Sequence, residues 1–290
     1  MMLVFIMAIL SPPACCAPTS AASLDLLEAI DRGWTYEATA SSSDEGTSFL
    51  TLLLTNPGPD AHVLIDAGTA FHGPDDIQPA VVTEDLLVYV SAGATEELFL
   101  TKACGSADAM GATNGMPYEE GVDKLPAELC RILDRMNEEL PSSASAIQDL
   151  VWVYTDDHDF ASVYVPEEEQ KALLDILSSE VPDFEDPGYA VKYRTPDPDD
   201  GARFTGEAME ARCTFNVDMP RAMECTVVLL QPDGERLTLL SDFHVSRGYR
   251  LFTFTIGLEG YPPGAYTMQL ESKRFGNTIA SRDIHLQGRG

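Results

Sequence analysis

The chain of 290 residues carries 47 Asp and Glu against 18 Lys and Arg, a formal charge of −29, and 44% of its residues are apolar. At roughly 150 residues per domain this suffices for two cores of ordinary size and excludes global disorder. So negative a chain is a poor ligand for a phosphate backbone, because every Lys or Arg contact would form inside a repulsive field, and the same argument excludes nucleic acid and an anionic membrane surface as partners.

Residues 1–10, MMLVFIMAIL, are an unbroken apolar run followed by SPPACCAP and the small, polar TSAAS. The pattern predicts an export signal over residues 1–22, although a basic segment before the apolar run is missing. At about 20 residues per bilayer-spanning helix the run is too short to span, and no later stretch approaches that length, so no transmembrane segment is expected. Cys15 or Cys16 is a candidate for lipidation just after the signal. An exported chain works in an extracytoplasmic, oxidising compartment, where an even number of cysteines suggests disulfides. Cys104, Cys130, Cys213 and Cys225 then remain. Of the three possible pairings the two local ones, Cys104 with Cys130 and Cys213 with Cys225, suit the domain division best, with buried free thiols as the alternative. The runs RCTFNV and CTVVLL, joined by DMPRAME, read as a hairpin that would set Cys213 beside Cys225.

Residues 23–180 form the predicted acidic domain. SLDLLEAIDRG offers a short amphipathic helix; WTYEATA, SFLTLLLTN and AHVLIDAG read as strands, with Asn-Pro-Gly-Pro-Asp as the turn between the last two. LLVYVSAGATEELFLTKAC reads as a further hairpin about Ala92, Gly93 and Ala94. From Pro126 the period lengthens. PAELCRILDRMNEEL places Leu129, Ile132, Leu133 and Met136 on one face, SASAIQDLVWVYT follows with Ser143 or Ser145 as cap, and PEEEQKALLDILSS is expected to start at Pro166 with three glutamates at its positive end. Strands followed by three helices make an α+β arrangement.

Residues 181–202 hold four prolines and an Asp cluster and read as an extended, solvated linker. Residues 1–200 contain 37 of the acidic and 8 of the basic side chains, so the remaining 90 residues are neutral. Residues 203–290 alternate, are rich in β-branched residues and carry turn signals at short intervals, which predicts a small antiparallel β-sandwich of six or seven strands.

No phosphate-cradling, zinc-protease or serine-hydrolase motif is present. Asp156, Asp157, His158 and Asp159 form one anionic run, and Asp66, His72, Asp75 and Asp76 another. Hard oxygen ligands of this kind suit Ca²⁺, and His with carboxylates suits a transition metal, so a metal-dependent hydrolase is one expectation. Acidic loops are equally what 37 carboxylates in 200 residues produce by themselves. The Asp197 to Gly201 stretch lacks the EF-hand pattern, and His62, His244 and His285 sit in or beside strand-like runs. The loop 103–125 is long enough to be a recognition surface.

Ile147-Gln148-Asp149-Leu150-Val151-Trp152 resembles the hydrophobic-Gln-x-x-hydrophobic-Trp segment of thioester domains in surface adhesins of Gram-positive bacteria. That resemblance implies Gln148 as acyl donor and Cys104 or Cys130 as thiol partner in an internal thioester open to attack by amines. More broadly, residues 48–155, with Asp66-Ala-Gly68-Thr-Ala-Phe71, Gln78, Cys104 and the Gln-x-x-x-Trp helix in that order, look like a module of exported bacterial proteins. The C-terminal part, with Asp233-Gly234, Gly248 and Pro263-Gly264-Ala265-Tyr266 before a final strand, is similar to immunoglobulin-like modules and to type IX sorting domains. Taken together these readings predict a non-catalytic surface or envelope binding protein, with the hydrolase and the covalent adhesin as alternatives. Its expected partner is a protein or a cationic surface ligand, drawn by the negative field.

Overall fold

The computed structural model describes residues 22–42, 48–140, 143–194 and 204–288. The export segment with Cys15 and Cys16, and most of the Asp cluster of the linker, lie outside the described residues.

The chain begins with β1 (Ala22–Asp25), α1 (Leu26–Asp31), β2 (Thr35–Ser42), β3 (Ser48–Thr55), β4 (Ala61–Ile65), β5 (Thr69–His72), β6 (Ala80–Val82), β7 (Leu86–Val90), β8 (Thr95–Cys104) and β9 (Gly121–Lys124). Alternation drives these strands: Leu50, Leu52 and Leu54 of β3 and Ala61, Val63 and Ile65 of β4 are buried at every second position. Two sheets result, one ordered β1-β4-β7 and the other β2-β3-β8-β6-β5-β9. They share one core, in which Leu24, Trp34, Leu50, Leu52, Val63, Phe71 and Leu100 meet.

The hairpin expected over residues 86–104 does not form. β7 pairs with β4, while β8 pairs with β3 and β6, so the chain turns a corner from one sheet to the other. Buried Asn56 holds that corner. Its backbone N–H donates to Ala94 O (2.9 Å), its carbonyl accepts from Gly93 N (2.8 Å), and Nδ2 donates to Pro59 O (2.8 Å) and Val90 O (3.0 Å). The β3–β4 and β7–β8 crossings are thereby tied together. A turn signal marks where a chain bends, but burial decides which sheet each arm joins.

The helices follow as α2 (Ala127–Glu139), α3 (Ala144–Thr155) and α4 (Gln170–Glu180). Leu129, Ile132, Leu133 and Met136 are all buried, as the helical period predicted. Ser143 occupies the N-cap position of α3, yet its hydroxyl donates to Glu169 and accepts no hydrogen bond from the first helical N–H groups. α4 starts four residues later than expected, because Pro166 and Glu167 close tight turns with Glu169 N and Gln170 N. These helices pack with Ala67, Ala70, Val81 and Ala103 on the sheet face opposite the first core.

Beyond them run β10 (Tyr189–Tyr193), β11 (Ala208–Met219), β12 (Met223–Leu230), β13 (Arg236–Val245), β14 (Gly248–Gly257), β15 (Gly264–Ser272) and β16 (Thr278–Leu286). β10 lies inside the stretch expected as solvated linker. It pairs with β11 instead, and its Ala190, Val191 and Tyr193 are buried. The sheets β10-β11-β14 and β13-β12-β15-β16 face each other in a sandwich-like pair. Phe215, Val217, Val227, Leu229, Met268, Leu270, Ile284 and Leu286 fill the space between, and Trp152 of α3 joins that cluster. The molecule is therefore α+β, mostly antiparallel strand, as the periodicity indicated.

A candidate site at Cys104 and Gln148

The end of β8 explains how the two residues meet. β3 pairs with β8 only as far as Thr101, and β6 takes the opposite edge from Lys102 to Cys104. Past Thr101 no strand among the described residues lies on the β3 side of β8. Unpaired backbone groups there would cost about 1–3 kcal/mol each if buried without partners. α3 supplies the partner: Gln148 Oε1 accepts from Cys104 N (2.7 Å) and Gln148 Nε2 donates to Cys104 O (2.7 Å). The primary amide thus stands in for a peptide group of the missing strand.

Strand alternation places the Cys104 side chain. Ala103 belongs to the core under the helices, whereas Ala80, the register partner of Cys104, belongs to the core that also holds Tyr118. Cys104 therefore projects to the Tyr118 face, beside the plane in which the Gln148 amide lies. Burial, and secondarily the neighbouring Cys104, push the Tyr118 hydroxyl above its ordinary range.

Cys130 is elsewhere. Its Sγ sits against Gly68 so closely that a Cβ there would lie 2.5 Å from the sulfur, and it contacts Leu125 O at 3.8 Å. Burial raises its thiol pKa. Among the described residues Cys104, Cys130, Cys213 and Cys225 are all free, which corrects the expectation of two disulfides. The proposed hairpin about residue 221 fails for the same reason as the earlier one: β11 and β12 are consecutive but belong to opposite sheets. Cys213 faces Phe254 and Tyr189 across its ladders, while Cys225 faces Phe243 and Ser272. Desolvation pushes the Cys213 thiol up to about 12 and raises that of Cys225.

The anionic run after α3 is divided among separate structural tasks. Asp156 accepts from Ser106 Oγ (3.1 Å) and Ala107 N (2.8 Å), fastening the segment after Cys104 to the end of α3. Asp157 adopts a left-handed backbone, φ 54°. The His158 ring lies 5.9 Å from that of Trp152 and 5.1 Å from that of Phe204, and burial lowers its pKa. Asp159 caps a short 3₁₀ turn at Ala161 N (2.9 Å). In the other run Asp66 pairs with Lys124 and His72 with Asp123 (3.1 Å). No group of three or more His, Cys, Asp or Glu side chains converges as a cation would require among the described residues. The loop 103–125 is pinned to its surroundings: Gly115 N and Tyr118 N donate to Ala40 O and Ala38 O, and Gln78 binds Met110 and Ala109.

Sequence reasoning missed Asp149, one residue beyond Gln148. It lines a cavity of about 190 Å³ with Ser143, Tyr164, Lys192 and Tyr193. Burial pushes its carboxyl up to about 7, against the opposing effect of a hydrogen bond from Tyr164 N. Nothing in the local sequence distinguishes it from the other carboxylates of the chain.

No protein-family model matches this chain. No curated protein matches it either. Among solved structures it is similar to the crystal structure of a beta-glucosidase from Kluyveromyces marxianus in complex with glucose, at 8% identity and a TM-score of 0.22 over 92% of this chain and 52% of that one. The chain spans about half the length of that protein, and a likeness this weak carries no argument about fold or activity.

Proposed function

We propose that this is an exported surface or envelope protein that works by contact, and that Cys104 and Gln148 form an internal thioester able to capture an amine on its target. The reciprocal hydrogen bonds between the Gln148 amide and the Cys104 backbone carry this reading. The Cys104 sulfur adds to Gln148 Cδ, the amide nitrogen leaves as ammonia with the thiol proton, and a thioester remains. An amine then displaces the sulfur, yielding a stable amide and restoring the thiol. Cys104 N–H already donates to Oε1, the atom on which negative charge grows in the tetrahedral intermediate. The strongly negative field of the first 200 residues would attract lysine-rich targets. The C-terminal sheets would serve as an immunoglobulin-like stalk or sorting module.

The test is an intact-mass spectrum. Wild-type protein is expected one ammonia light, Gln148→Ala and Cys104→Ser at full mass for their compositions, and Cys130→Ser still one ammonia light. Methylamine should open the thioester and be incorporated once, leaving the chain heavier than its unreacted sequence by the CH2 that distinguishes methylamine from ammonia. A wild-type chain at full mass with four alkylatable thiols would reduce Gln148 to a strand-capping residue and end the proposal.

A further inference from the structure

Arg212 lies on β11 between Ala211 and Cys213, two residues of the sandwich core, so alternation turns it outward toward α4. Only 8% of it is exposed. Nη1 donates to Val165 O (2.9 Å) and Gln170 Oε1 (3.4 Å), Nη2 donates to Tyr164 OH (2.5 Å), and the guanidinium stacks 4.5 Å from the Tyr164 ring centre. Every one of these partners is neutral. Glu210 accepts from the Tyr164 hydroxyl, and among the described residues Arg212 Nε has no acceptor. A guanidinium taken out of water without a directly paired anion is unfavourable, and an unfilled Nε–H leaves the bidentate edge of the fork incomplete.

Arg212 also lines a cleft of about 260 Å³ between α4 and the sheet β10-β11-β14. The lining carries both signs of charge, Lys171 with Arg212 and Glu167 with Asp186, alongside apolar Leu174 and Leu251. A ligand of a single charge sign would meet repulsion from two of these four groups, and the volume lies near the lower end of ligand pockets. Lys171 leans on Asp175 at 3.3 Å, an exposed pair that holds it weakly, and Asp186 uses one oxygen on Gly188 N.

We propose that this cleft binds a small aliphatic amino acid, its carboxylate on Arg212 and Lys171, its ammonium on Glu167 and Asp186, and its side chain against Leu174 and Leu251. The site stands apart from Cys104 and Gln148 and does not depend on thioester chemistry. Calorimetric titration of the full chain with L-leucine is expected to saturate. 4-Methylpentanoate, which lacks the ammonium, and 3-methylbutylamine, which lacks the carboxylate, should each bind at least tenfold more weakly. Arg212→Met should abolish binding. Because that change also strips partners from Tyr164, Lys171→Glu and Leu251→Asp on the exposed walls provide variants that keep the fold, each expected to weaken leucine at least tenfold, while Gln148→Ala leaves it unchanged. No saturable heat with leucine, equal binding of either analogue, or full affinity in the Lys171→Glu protein overturns the assignment.

Discussion

At Asp149 a carboxyl that titrates in water near 3.8 is pushed up to about 7 by desolvation. Between these values the folded state holds a proton that the unfolded chain has already released, so stability falls as pH rises through that window. That displacement corresponds to at most about 4 kcal/mol. Urea unfolding at pH 5 and pH 8 should therefore show wild-type protein losing stability with pH. Asp149→Asn should lose most of that slope and be the more stable protein at pH 8. A variant with the wild-type slope would place the proton elsewhere. Gln148 and Asp149 illustrate what is legible in a segment: the amide stands out through a short motif, whereas the carboxyl is enclosed in part by Tyr164, Lys192 and Tyr193, which are 15 to 44 residues away in the chain.

At the scale of elements, the contact of α2 with the loop before β5 rests on a glycine. Gly68 has φ +83°, a left-handed conformation that costs any other side chain, and its missing Cβ leaves room for Cys130 Sγ. Gly68→Ala should destabilise by about 2–4 kcal/mol, combining backbone strain with overpacking. Adding Cys130→Ala removes the overpacking but not the strain. Denaturant titration of the two single variants and the double should therefore show a favourable coupling, with the double more stable than Gly68→Ala alone; strict additivity would deny the contact. The α2 helix is legible at this scale because its buried stripe of Leu129, Ile132, Leu133 and Met136 is local in sequence. The hairpins expected about Ala92 and Arg221 do not form because pairing partners are distant in sequence, and both turns are crossings between sheets.

Across the whole molecule the governing feature is charge. The first 200 residues contain all of the net charge of −29, and among the described residues few carboxylates there pair with a Lys or Arg: Asp66, Asp175, Glu28, Glu139 and Glu180 are among those that do. Self-repulsion of this kind is screened by salt. Raising ionic strength from about 0.01 M to 0.15 M contracts the Debye length from about 30 Å to 8 Å. The midpoint of thermal unfolding should rise over that interval by several degrees, roughly 4–8 °C per kcal/mol for a small domain and less for a larger unit. A flat or falling midpoint would mean that specific ion pairs outweigh the repulsion.

By itself the sequence determined what depends on near neighbours and on composition: the α2 stripe, the alternation of β3, β4 and β14, the acidity, and the poverty of familiar catalytic motifs. Tertiary structure alone decided which sheet each strand entered, that Cys213 and Cys225 lie on opposing sheets, that β10 is a strand of the sandwich and not linker, and that Arg212 is buried against the neutral Val165, Gln170 and Tyr164. The physical reason is that hydrogen-bond partners and desolvation are set by groups tens of residues apart, whereas periodicity is written within a single turn or pleat.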